Sequence, residues 1–142
     1  VIVIGVGNSW RGDDAAGLEV ARRLGGVCHE GDCTRLLEEW DSGDDVVVVD
    51  AASSGVAAAG TIHRFDAARQ PLPTSVLASS THALGLPAAM ELARALGRLP
   101  RRLRVYGIEG ASFKAGDALT PPVARGVDTL ARELGAELDS SG

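Results

Sequence analysis

Val1-Ile2-Val3-Ile4 opens the chain as an unbroken β-branched run that ends in Gly5-Val6-Gly7-Asn8. A run that is apolar at every position predicts a strand buried on both faces, and the Gly/Asn step predicts a tight turn behind it. Leu18, Val20, Ala21 and Leu24 then form one stripe of a helix that Asp13 or Asp14 can cap and that Gly25-Gly26 ends. A short strand is expected over Val27 to His29, and Leu36, Leu37 and Trp40 place helical spacing on Thr34 to Trp40 before Ser42-Gly43-Asp44 breaks it. Val46 to Val49 is the second buried strand and runs straight into Asp50. Ala51 to Gly60 is small and loop-like, and Thr61 to Phe65 alternates as a half-buried or edge strand does.

After a break at Gln70 to Pro73, Ser79-Ser80-Thr81 supplies caps for a helix from about Ala83 to Leu96, with Leu84, Leu92, Ala95 and Leu96 expected to face the core and Gly97 to close it. Leu103 to Ile108 reads as another strand. The last helix begins with Thr120 as N-cap and Pro121 at its first position, carries Val123, Val127, Leu130 and Leu134 on its apolar face, and frays from Asp139 to Gly142. Buried strands alternating with amphipathic helices predict an α/β fold, a three-layer sandwich whose mostly parallel, twisted sheet is covered by helices on both faces. No linker or repeat divides residues 1–142, so a single domain is expected.

Composition narrows this picture without changing it. A 142-residue domain buries roughly 70% of its unfolded surface, enough for one ordinary core. Aromatic residues are only 4% of the chain, so that core must come mainly from Val, Leu, Ala and Ile. The net charge is −5 and the arginines are interleaved with acids, which argues against a nucleic-acid partner. The apolar runs fall far short of the roughly 20 residues a membrane span needs, and neither a span nor a signal peptide is expected. Cys28 and Cys33, the two cysteines, match no zinc spacing and read as reduced, structural thiols.

In open α/β sheets ligands bind beyond the carboxyl ends of the strands, which directs attention to Gly7-Asn8, Asp13-Asp14 and Asp50. Each has a plain structural reading: Asp13 or Asp14 as a helix cap, Asp50 as a strand terminator, His82 as a capping or solvated histidine. Taken together, two carboxylates and an imidazole offer oxygen and nitrogen ligands of the kind that hold Ni²⁺ or Zn²⁺. Carboxylates about 5 Å apart repel by about 3 kcal/mol at an effective dielectric of 20, a penalty that a divalent cation removes. Metal binding at such a site is expected to weaken as pH falls.

Three blocks carry a resemblance. Ile4-Gly5-Val6-Gly7-Asn8-Ser9-Trp10-Arg11-Gly12-Asp13-Asp14-Ala15-Ala16-Gly17, then Val48-Val49-Asp50-Ala51 with Gly60-Thr61-Ile62, then Ser80-Thr81-His82-Ala83-Leu84-Gly85-Leu86 resemble, in order and spacing, the signatures of the hydrogenase maturation proteases. The resemblance implies an endopeptidase that removes a C-terminal extension from the nickel-loaded large-subunit precursor of a [NiFe] hydrogenase. It implies that Asp14, Asp50 and His82 contact the substrate's nickel and carry the catalytic function. It implies no permanently bound cofactor, a hydrogenase large-subunit precursor as partner, a monomer and a cytoplasmic location. The chain departs from the family pattern at Glu30-Gly31-Asp32-Cys33-Thr34 and at Ala15, positions that bear on the substrate-facing loop.

No Ser/His/Asp or Cys/His arrangement is legible, so hydrolysis is expected to use metal-bound water or a carboxylate as general base. Two rivals stand beside this reading. A non-catalytic nickel-sensing assembly factor would keep the same residues. A dinucleotide-binding module would need a small residue where Trp10 stands, close to the helix-strand contact.

Overall fold

The computed structural model describes residues 1–31, 33–77 and 85–141. In chain order they form β1 (Ile2–Gly7), a 3-10 turn (Gly12–Ala15), α1 (Ala16–Arg23), β2 (Val27–Glu30) and a 3-10 helix (Cys33–Glu39). Then follow β3 (Asp45–Ala52), β4 (Ile62–Asp66), α2 (Leu86–Ala95), β5 (Arg102–Glu109) and α3 (Pro121–Ser141). The sheet order is β2-β1-β3-β5-β4. The β1–β2, β1–β3 and β3–β5 pairs are parallel, and β4 joins β5 antiparallel as an edge strand. The expected α/β sandwich with a mostly parallel sheet is therefore the observed fold. The chain goes to one side of β1 to make β2 and to the other to make β3, so the strand order reverses between β1 and β3, the place where open α/β sheets form their crevice.

Two apolar layers fill the sandwich. One sheet face carries Ile4, Val46, Val48, Leu103 and Val105 against Leu36, Leu37, Trp40, Leu86 and Met90. Trp40 is buried there because its indole N–H has a partner, the Arg98 carbonyl at 2.8 Å. The other face carries Val3, Val47, Val49, Tyr106 and Ile108 against α1 and α3. The aliphatic core anticipated from composition is what the sheet packs with. Among the described residues no helix is long and apolar enough to cross a membrane.

α1 lies on the sheet at backbone contact. A Cβ on Gly17 would come within 2.1 Å of the Val49 carbonyl oxygen and 2.7 Å of that of Val6, and a Cβ on Gly5 within 2.2 Å of the Gly17 carbonyl oxygen. These glycines let the helix straddle β1 and β3, and the turn before it is drawn over their carboxyl ends. Gly7 completes the approach, since its Cβ would fall 2.0 Å from the Asp14 carbonyl oxygen.

Several local expectations are corrected. Neither Asp13 nor Asp14 caps α1 with its side chain, because the 3-10 turn feeds directly into the helix through Ala15. In α2 the buried stripe is Leu86, Ala89, Met90 and Ala93, whereas Leu92, Ala95 and Leu96 are exposed. The helix begins at Leu86 with Gly85 at its N-cap, and Leu86, Ala89, Met90 and Ala93 share one face at i, i+3, i+4, i+7 spacing, which leaves Leu92, Ala95 and Leu96 off it. The expected caps Ser79, Ser80 and Thr81, and Leu84, lie outside the described residues. The Thr120 carbonyl accepts the first helical bond of α3, from Ala124 at 2.9 Å, but its hydroxyl is given to Asp13. α3 is not frayed from Asp139 and continues to Ser141.

Candidate active site at the carboxyl end of the sheet

Asp50 is the antepenultimate residue of β3, at the end of four consecutive buried valines, and is itself only 8% exposed. One carboxylate oxygen, Oδ1, accepts the N–H of the next residue, Ala51, at 2.7 Å. Among the described residues no other group donates to it. Burial pushes its carboxyl up to about 8, against the pull of that one backbone N–H and with a smaller push from the nearby charge of Asp14. Asp14 ends up beside Asp50 because the 3-10 turn is tied back over β1: its N–H donates to the Arg11 carbonyl at 3.0 Å and its carbonyl accepts from Asn8 at 3.2 Å. Burial raises the Asp14 carboxyl too, partly offset by the Arg11 guanidinium. No described residue hydrogen-bonds its side chain.

Asp13, one residue earlier, is fully buried and has the opposite environment. Its oxygens accept the N–H groups of Ala111 (2.7 Å), Ser112 (2.9 Å) and Thr120 (2.8 Å) and the Thr120 hydroxyl (2.8 Å). It thereby staples the loop after β5 to the loop after β1. The loop after β1 is also held from its other flank, where Glu30 at the end of β2 accepts from the Ser9 N–H at 2.9 Å and hydroxyl at 2.8 Å. Hydrogen bonds from the Ser9 backbone and then its side chain hold the Glu30 carboxyl below its ordinary value, against a weak opposing effect of burial.

His82 lies outside the described residues, so the structure brings together two of the three expected site residues and is silent on the third. Among the described residues no group of three His, Cys, Asp or Glu side chains is arranged to hold a metal ion. Cys28 is exposed, with its sulfur 3.7 Å from the Leu18 carbonyl, and Cys33 is buried in the core; both are thiols, as expected.

The sequence reading missed a second polar cluster on the same end of the sheet. Glu109, the last residue of β5 and 3% exposed, accepts from the Ser54 N–H at 2.9 Å, the Ser54 hydroxyl at 2.8 Å and lies 2.9 Å from His63 Nε2. Burial works to raise its carboxyl, but the bonds from Ser54 and His63 outweigh it and hold Glu109 below its ordinary value. The signal that singled out Asp50, an acid ending an apolar strand, was present at Glu109 as well. The partner His63 could not be found that way, because it comes from an antiparallel strand that sequence order does not place beside β5.

The sequence model of the HycI hydrogenase maturation protease family matches residues 31–137. This chain belongs to the hydrogenase maturation protease family. Among solved structures, it is similar to the hydrogenase maturating endopeptidase HybD from E. coli, with 24% identity, a TM-score of 0.75, and coverage of 99% of this chain and 93% of the other. It is similar to the [NiFe] hydrogenase maturation protease HybD from Thermococcus kodakarensis, at 23% identity and a TM-score of 0.70 over 96% and 97% of the two chains. It is also similar to the [NiFe] hydrogenase maturation protease HycI from Thermococcus kodakarensis KOD1, at 25% identity and a TM-score of 0.67 over 97% and 91%. No curated protein sequence matches.

Membership makes the chain an endopeptidase of hydrogenase maturation and disposes of the dinucleotide reading, though not for the reason expected. Trp10 does not obstruct a helix-strand contact; it is 71% exposed on the loop before the 3-10 turn. The close contact is made by Gly17, ten residues beyond Gly7. The loop between them carries the buried Asp13 and the half-buried Asp14 where a pyrophosphate site would present N–H groups.

Proposed function

We propose that this maturation protease removes the C-terminal extension of a [NiFe]-hydrogenase large-subunit precursor after nickel insertion, with Asp14, Asp50 and His82 contacting the substrate's nickel. The observation that carries the proposal is Asp50: a buried carboxyl with one backbone hydrogen bond, beside a second carboxyl that no described side chain or N–H satisfies. A carboxyl in that setting holds a proton until a cation shares its charge. Two carboxylates with one imidazole suit a borderline divalent ion, and the carboxylates at the rim of the sheet are the groups that recognise it. The nickel is part of the substrate, so the protease itself needs no resident cofactor, acts as a monomer with one site, and works in the cytoplasm where the precursor is assembled.

The experiment is incubation with nickel-loaded and nickel-free precursor, read by intact mass. Loss of the tail from the loaded form alone is expected. Equal cleavage of both forms, or of neither, overturns the proposal.

A further inference from the structure

His63 sits on β4 opposite Gly107 of β5, and Gly107 sits opposite Asp50 of β3. Directly paired residues send their side chains to one face, so Asp50 and His63 flank the side-chain-free Gly107 on the same face of the sheet, two strand spacings or about 10 Å apart. His63 is tied at one nitrogen only. Nε2 meets the buried Glu109 carboxylate at 2.9 Å, Phe65 stacks on the ring at a centroid separation of 6.4 Å, and Nδ1 has no protein partner among the described residues. The imidazole side chain is 20% exposed while the Glu109 side chain is 4% exposed, which places a water-accessible base on a fixed, anionic support.

Ser54 is not the nucleophile of a serine-type arrangement. The carboxylate stands between the hydroxyl and the imidazole, and the Ser54 oxygen also accepts the N–H groups of Val56 (3.2 Å) and Ala57 (3.1 Å). Its bonds shape the loop of residues 53–61, which carries no charged side chain, and neither does the segment of residues 73–77 that Ser53 bonds. Among the described residues, Glu109 is therefore the charged group that bonds the imidazole, with Asp50 one strand farther on.

We infer that His63, oriented by Glu109, is the general base that activates the hydrolytic water in tail removal, at a position separate from the Asp14–Asp50 carboxylates. Nδ1 takes a proton from water as the water oxygen bonds to the scissile carbonyl carbon. The C–N bond then breaks, and the proton passes from Nδ1 to the departing amine, leaving a new carboxyl terminus and a new amine. A carboxylate fixing one imidazole nitrogen while the other moves a proton is established general chemistry, contributing typically 10²–10⁴-fold to rate. The inference rests on the proposed tail-removing function.

The test compares wild type, His63→Gln and Glu109→Gln on nickel-loaded precursor. His63→Gln retains an amide for Glu109 but cannot accept the proton. Its single-turnover rate at saturating precursor should fall by about 100-fold or more, while its precursor affinity should stay within about twofold. His63 is partly exposed, so that variant should fold, and an unchanged thermal midpoint checks it. Glu109→Gln, which keeps the imidazole but removes its anionic support, should lower the single-turnover rate by less than His63→Gln and leave precursor affinity within about twofold. A His63→Gln rate within about threefold of wild type, or a loss confined to precursor affinity, overturns the inference and leaves the proposed function intact. Wild type that removes no tail overturns the function and the inference together.

Discussion

Asp13 and Asp14 are chain neighbours of identical chemistry with contrasting surroundings, and the same contrast recurs between Glu109 and Asp50 at the ends of adjacent strands. Asp13 and Glu109 are buried acids saturated with donors. Each joins loops that would otherwise part, and the N–H and O–H groups that surround it replace the water lost on burial. Asp50 is a buried and Asp14 a half-buried acid, both with almost no donors, and burial raises both. The first pair holds the rim of the sheet together. The second pair leaves that rim with an unmet demand for positive charge, which is the condition for receiving a cation from outside.

The sharpest way to break this comparison is to exchange the two behaviours by substitution. Asp13→Ala strands three N–H groups and a hydroxyl in the interior, and should cost about 4 kcal/mol by urea unfolding, a large part of the stability of a domain this size. Asp50→Asn should cost nothing in the same measurement and should stabilise near neutral pH, since the aspartate must take up a proton to be buried. Comparable losses from the two would show that both are structural.

Activity should rank them the other way. Asp14→Asn or Asp50→Asn should lower tail removal by about 10³-fold with the fold intact, equivalent to about 4 kcal/mol of transition-state stabilisation. Intact-mass assays on nickel-loaded precursor would show it.

The comparison can also be sharpened through the pH dependence of stability. Asp50 holds its proton up to about 8 in the folded protein but only to the ordinary aspartate value, 3.8, when unfolded. Between those values the native state binds the extra proton, so stability is greatest below about 4 and falls as pH rises toward 8, by at most roughly 1.4 kcal/mol per unit for this one group. Asp50→Asn should remove that slope in denaturation curves taken from pH 5 to 8. An unaltered slope would mean that Asp50 is ionised like an exposed acid. Displacement of the same proton by a cation means that nickel affinity should rise over this window and level off above it.

Much of this was written in local patterns. The valines before Asp50 and the β-branched start of the chain are doubly buried strands because nothing polar interrupts them, and the stripe of α3 repeats at helical spacing. The face of α2 is misread from sequence when the large leucines, Leu92 and Leu96, define the stripe, whereas the face that packs is made of Leu86, Ala89, Met90 and Ala93 at i, i+3, i+4, i+7 spacing. Asp14 and Asp50 could be picked out because acids that follow apolar strands fall at the carboxyl edge of a parallel sheet whatever the details of packing.

The sequence alone thus determined the element types, the parallel sheet and the edge on which the acids collect, since these follow from periodicity and chirality along neighbouring residues. Only the tertiary structure decided which acids are satisfied and which are not, because donors arrive from far along the chain: Thr120 and Ser112 to Asp13, Ser54 and His63 to Glu109. It likewise gave Gly17 its task, as the carbonyls it must clear belong to two other strands. Burial and hydrogen-bond supply are sums over three-dimensional neighbours, and it is those sums that separate a structural carboxylate from a reactive one.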